Sequence, residues 1–146
     1  MNLSKNALVT RVSNAVAAGT TDVNCTAVDM SGYDSVTFIA AFGALTATQV
    51  TNCFVQGSDD NSSFSDLAGT RTTSMADGDG NKLVVVEVQK PNPSYRYIRL
   101  VIDRGTANAV IDGVVAVQTH ARKAPVTNGS TVQATKLVVS PAAGTP

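Results

Sequence analysis

The sequence predicts an all-β protein, an antiparallel β-sandwich with extended N- and C-terminal segments. Three observations carry this. Apolar residues recur with a period of two in one segment after another, the signature of half-buried strands. Short polar clusters rich in Gly, Pro, Asn and Asp punctuate those segments. No stretch carries a convincing helical stripe, and Leu45 to Val50 is too short to make one. The 146 residues suffice for one domain and are short for two.

Residues 1–21 are rich in Asn, Ser, Ala and Thr and only weakly periodic, which suggests an N-terminal arm or a first edge segment. Residues 22–120 hold the sandwich. Its first strand is expected over Val23 to Met30, closed by the Ser31-Gly32 turn. In Ser35 to Phe42, Val36, Phe38, Ala40 and Phe42 share one face, with Ser35, Thr37, Ile39 and Ala41 opposite. Val50 to Gln56 follows and runs into the polar turn Gly57-Ser58-Asp59-Asp60. Phe64 and Leu67 then fold back, with Phe64 placed as a core-covering loop residue. Leu83 to Lys90 puts Val84, Val86 and Val88 on its apolar face, with Glu87 and Gln89 opposite.

Pro91-Asn92-Pro93 opens the next edge. In Arg96 to Arg104 the apolar face is Ile98, Leu100 and Ile102, with Arg99 and Asp103 opposite and Arg96 and Arg104 at the ends of the apolar side. In Val110 to Thr119 it is Ile111, Val115 and Val117, with Asp112, Ala116 and Gln118 opposite. Repeated polar faces predict one wet side per sheet. Residues 121–146 form a C-terminal extension with one further candidate strand, Val132 to Val139. It reads either as the last strand of the domain or as a tethered strand for a neighbour's sheet edge.

Composition narrows the function. Charged residues are 15%, aromatics 5%, and tryptophan is absent. So sparse a charge leaves a Thr/Ser/Asn/Ala surface poorly defended against association, which points to partners or self-assembly. A net charge of zero gives nucleic acid no electrostatic footing. No run of apolar residues is long enough to span a membrane. Arg11 and Asn14 interrupt the apolar stretch near Ala15 to Ala18, so no export signal is expected.

Catalytic chemistry has little to work with, and no enzyme is expected. The lone histidine, His120, sits at a strand end, and no Gly-x-Ser-x-Gly elbow accompanies it. Asp77-Gly78-Asp79-Gly80-Asn81 alternates oxygen ligands, but Lys82 and Val88 stand where a calcium-binding EF-hand needs Gly and Glu. The segment reads as a Gly-rich turn, with a weak calcium site of another kind as the alternative. Asp59, Asp60, Asp66, Asp77 and Asp79 cluster in loops without the stacking aromatics a glycosidase site uses. There is no phosphate cradle, dinucleotide fingerprint or zinc cluster, and no cofactor is expected. Cys25 and Cys53 fit two buried thiols or a disulfide between strands.

Interface chemistry is better represented. Tyr97 and Arg99 form an outward pair of the kind enriched at binding hot spots. They are interface candidates together with Arg122, Lys123, Leu137 and Val139.

The run Val55-Gln56-Gly57-Ser58-Asp59-Asp60, continuing through Phe64-Ser65-Asp66-Leu67 to Tyr95-Arg96-Tyr97-Ile98-Arg99-Leu100-Val101-Ile102, resembles small jelly-roll proteins of tailed-phage head modules, the capsid decoration or cement proteins. A similar signature occurs in discoidin-like carbohydrate-binding modules. The resemblance covers roughly the central half of the chain. It implies a jelly-roll sandwich and a structural virion protein on the outer surface of the capsid, made in the bacterial host cytoplasm. The implied partners are the major capsid protein, whose subunits it would cross-bridge, and further copies of itself in a dimer or trimer. The alternatives are a carbohydrate- or receptor-binding module of a phage tail or fibre, and a tail-tube or connector subunit. No family functional residue transfers to a position of this chain.

Overall fold

A computed structural model describes residues 2–89, 91–140, 142 and 143. Lys90, expected to end one strand, and residues 1, 141 and 144–146 of the terminal segments lie outside the described residues. After a single helical turn, α1 (Leu3–Asn6), the described residues form ten strands. They are β1 (Leu8–Ser13), β2 (Val16–Gly19), β3 (Val23–Asn24), β4 (Val28–Asp29), β5 (Ser35–Leu45), β6 (Asn52–Ser58), β7 (Ser65–Asp66), β8 (Leu83–Gln89), β9 (Tyr97–Asp103) and β10 (Ala109–Thr119).

One sheet has the order β1-β10-β5-β8, with β2 also on β10; the other has β3-β9-β6-β7, with β4 also on β9. Every pairing is antiparallel. β1 and β2 share one edge position, as do β3 and β4, and the chain then crosses between the sheets in jelly-roll order. The core lies between the sheets. Val36, Phe38, Ala40 and Phe42 of β5 meet Ile98, Leu100 and Ile102 of β9, all essentially inaccessible to solvent. Burial of such side chains contributes roughly 1.5–3 kcal/mol each.

Several expectations fail for local reasons. Val23 to Met30 is two short strands, because Thr26 leaves the sheet and donates its N–H to the Val12 carbonyl at 2.8 Å. Arg96 precedes the β9 ladder and is exposed rather than on the apolar side. Residues 132–139 form no strand. The β1 edge they would pair with is already occupied: Val9 N–H donates to Asn128 Oδ1 at 2.7 Å and Arg11 N–H to Thr131 Oγ1 at 3.2 Å. The extension is strapped to the N-terminal helical turn as well, through Val126 N–H to Lys5 O at 2.7 Å. Residues 8–13 and 16–19 are strands of the first sheet.

The largest departure is in β10. Its partner on β5 advances by one residue, from Phe42 to Ala41, while β10 advances by two, from Ile111 to Gly113. This is a β-bulge, centred on Gly113 at φ +148°. The alternation therefore changes phase. Ile111 points inward as expected, but Val114, Ala116 and Gln118 are buried after it, and Val115 and Val117 face outward. Gln118, expected on the outer face, instead donates from Nε2 to the Asp29 carbonyl across the sandwich at 2.7 Å.

Cys25 and Cys53 are free thiols in the core. Burial pushes both up from the ordinary 9.0 to about 12. The sign follows directly. Only the unfolded chain loses these protons near pH 9, so their contribution to stability is complete below that pH and disappears as pH rises toward 12. Both thiols are expected to be silent toward a disulfide reagent at pH 8 in the native protein and to react fully in denaturant. Reaction of either thiol in the folded state at the rate of a free thiol would contradict their burial.

Candidate functional site

The pairing registers define two outer faces of different character. On the β9–β6 sheet the face is polar and internally satisfied. Arg99 donates from Nε and Nη2 to Gln56 Oε1 at 2.9 and 2.7 Å, and Gln56 Nε2 donates to Asp66 Oδ1 at 2.7 Å. This row runs from β9 over β6 to β7. The Arg99 guanidinium lies 3.9 Å from the centre of the Phe64 ring. Phe64 thus covers the outer face of this sheet rather than the core. Arg71 repeats the motif, 4.1 Å over Phe54, while bonding Asn52 and Asp103. Stacked and bonded arginines of this kind are held in one geometry, at a gain of about 0.5–2 kcal/mol per cation–π pair.

On the β10–β5 sheet the outer face is apolar. The bulge places Val115 and Val117 beside Ile39 and Thr37 of β5; Val9 pairs with Val117 on one side, and Val85 with Ile39 on the other. Leu83 pairs with Ala41 and continues the surface. Leu83 and Val85 are 63% and 57% exposed. Its polar members are Thr37, Arg11 and Glu87, with Ser35, Gln89 and Thr119 at the end where β5 begins. This face crosses four strands and is not the wet side expected from alternation. Strict alternation without the bulge puts its β10 half on the inner side. Ile39 and Ala41, both placed opposite the β5 core face from the sequence, were the available signal.

At the end where β5 begins and β8 ends, a cleft of about 630 Å³ opens between the β4–β5 turn and the segment leading into β9. Its walls include Tyr33, Tyr95, Pro91, Pro93, Arg96 and Arg122. Both arginines are already paired. Arg96 meets Asp29 through two bonds of 2.6 and 2.9 Å, and Arg122 meets Asp34 at 3.1 Å. The Arg96 hydrogen bond holds the Asp29 carboxyl below the usual carboxylate range.

The interface candidates are thus dispersed. Tyr97 and Arg99 lie on the polar face, where Arg96 sits 5.3 Å over the Tyr97 ring. Arg122 lines the cleft, and Lys123 follows it on an exposed loop. Leu137 and Val139, 45% and 81% exposed, belong to the C-terminal extension. The structure does not bring the six together.

The acidic turn lies at the opposite end of the sandwich from the cleft. Its oxygens serve the turn itself: Asp77 accepts the Gln49 N–H at 2.7 Å, and Asp79 accepts from Ala76 N–H and Lys82 Nζ, both at 2.7 Å. Those bonds lower both carboxyls. Asp60 is engaged likewise, by the N–H groups of Ser62 and Ser63. Among the described residues, no three His, Cys, Asp or Glu side chains group to hold a metal ion, and no helix is long and apolar enough to cross a membrane. His120 is exposed at the end of β10, at φ +54°.

No protein-family model matches the chain, and no curated protein matches it in sequence.

Proposed function

We propose that this chain is a structural virion protein that binds the outer surface of a phage head and stabilises it by cross-bridging major capsid protein subunits. The observation that carries the proposal is the apolar outer face of the β10–β5 sheet on a jelly-roll block. Contiguous exposed apolar surface on a small domain marks an interaction site. Here it is displayed on a hydrogen-bonded sheet rather than on a loop, which suits docking against another rigid surface. The composition and the resemblance of the central strands support the same reading.

The mechanism is mass action on a lattice. A ligand that binds only the assembled state stabilises that state. Many identical contacts on one shell act together even when each is modest. The C-terminal extension, which carries the exposed Leu137 and Val139, would enlarge each footprint. The site of action is the capsid exterior, after synthesis in the host cytoplasm.

Heads assembled without the chain are expected to release their genome at a lower temperature than heads that carry it, and adding back the purified chain should restore the difference. Identical release curves, with no binding of the added chain to heads, would refute the proposal. The cleft supports a second reading as a carbohydrate- or receptor-binding module, because Tyr33 and Tyr95 are half-buried in its wall. That reading expects glycan binding that is lost in Tyr33→Ala. Both rings also pack against the core, which favours a structural role for them.

A further inference from the structure

We infer that β8 is a dimerisation strand, pairing antiparallel with β8 of a second copy to join two sandwiches into one continuous sheet. The sheet edges of this molecule are treated unequally. The β1 edge is closed by Asn128 and Thr131 of the C-terminal extension. The β6 edge is covered by β7 and by the segment after it, where Thr70 and Thr72 offer their hydroxyls to the N–H groups of Val55 and Cys53, both at 3.0 Å. β3 and β4 are only two residues each. Among the described residues, β8 alone is a long, regular edge. It runs seven residues in unbroken register against β5 and has no proline, bulge or lysine within it. Those are the devices that ordinarily blunt an edge.

The ladder fixes which backbone groups are free. Phe42 N–H bonds the Lys82 carbonyl at 3.0 Å, so Lys82, and by alternation Val84, Val86 and Val88, turn their N–H and C=O toward β5. Leu83, Val85, Glu87 and Gln89 therefore turn theirs outward. Among the described residues, no hydrogen bond reaches these outward groups.

The occupant follows from charge and register. With the two-fold axis at Val86, Val85 faces Glu87 of the partner subunit and Leu83 faces Gln89 of the partner subunit, so all the outward groups find partners. A register centred on Glu87 would set that carboxylate against its own copy, which is unfavourable. Centring on Val86 removes that clash, because each Glu87 then lies opposite a valine. The chain's net charge of zero adds no long-range repulsion between copies. In this register both apolar outer faces lie on the same side. The dimer would therefore double the surface offered to a larger partner, although the pairing itself needs no capsid.

Sedimentation equilibrium of the purified chain, combined with amide exchange, tests the inference apart from any particle assay. The expected result is a dimer in which the Val85 and Glu87 amides are protected. Val85→Pro deletes an outward N–H at an edge position where proline is tolerated. It should weaken dimerisation by about 100-fold while keeping the far-ultraviolet spectrum. Should that variant fail to fold, Val85→Glu leaves the ladder intact and sets a carboxylate opposite Glu87 of the partner subunit, which should also weaken association. A monomer at all concentrations, a parent dimer whose Val85 and Glu87 amides exchange freely, or a dimer that survives either change would overturn the assignment.

Discussion

Arg104→Met is expected to destabilise the fold by about 3–5 kcal/mol, through the loss of charge-assisted hydrogen bonds and the stranding of buried carbonyls. Arg104 is 5% exposed. Its Nε donates to the Thr21 carbonyl at 2.6 Å, and its Nη1 donates to the carbonyls of Ala17 and Ala109 at 2.9 and 3.0 Å. These acceptors belong to β2, to the β2–β3 connection and to the start of β10. One side chain at the end of β9 thus ties the two sheets together at their corner. No carboxylate pairs with it among the described residues; carbonyl dipoles carry the charge. Gly19 allows this approach, since a Cβ there would lie 3.0 Å from Nη2. Thermal unfolding should fall by about 10 °C or more for a chain of this size. Arg104→Lys should recover only part of the loss, because an ammonium lacks the planar fork that reaches three acceptors. Exchange of the β2 amides should accelerate in both variants. A methionine variant within about 1 kcal/mol of the parent, a shift ordinary for substitutions without a special role, would show that the corner does not depend on the guanidinium.

Arg104 also marks how far alternation can be read. In β5, β8 and β9 the period of two assigns the inward residues correctly, because β5 against β8 and β9 against β6 keep unbroken ladders. The same rule put Arg104 at the margin of the apolar side, and the structure buries it there. Alternation reports direction but not whether carbonyls converge on the end of a strand. The extension at 132–139 has β-branched content but no free ladder, since side chains, not backbone, close the β1 edge. Pairing with a partner edge is a tertiary property, invisible to a local pattern. The outward Tyr97 and Arg99 were legible by the same alternation. The engagement of Arg99 by Gln56 and Phe64 was not, because it requires the β6–β9 register and the return of the β7 hairpin.

Gly113→Val is expected to cost about 3 kcal/mol or more, since a β-branched residue cannot adopt the Gly113 conformation without strain. The backbone there has φ +148°, and a Cβ would approach the Ser13 carbonyl oxygen to 3.3 Å. β1 is irregular at the same level: its register against β10 shifts between Arg11 and Ser13. The protein has two responses. It can keep the bulge and hold a valine in a forbidden region while β1 is pushed away. Alternatively, it can close the bulge, which slips one half of β10 by a residue and exchanges its faces. The slip would turn Val114, Ala116 and Gln118 outward and break the Gln118 bond to Asp29, while forcing Val115 and Val117 into space shaped for alanine and glutamine. Either response is expensive, and the second also removes the apolar outer face on which the capsid proposal rests. Gly113→Ala should cost less, about 1–3 kcal/mol, because the strain remains without the branching. Gly129→Ala is the control, with open space around it, and should stay within about 0.5 kcal/mol of the parent. Chemical denaturation of the three variants reads the series. A valine variant as stable as the control would mean that β10 does not need its bulge, and the placement of Val115 and Val117 on the outer face would fall with it.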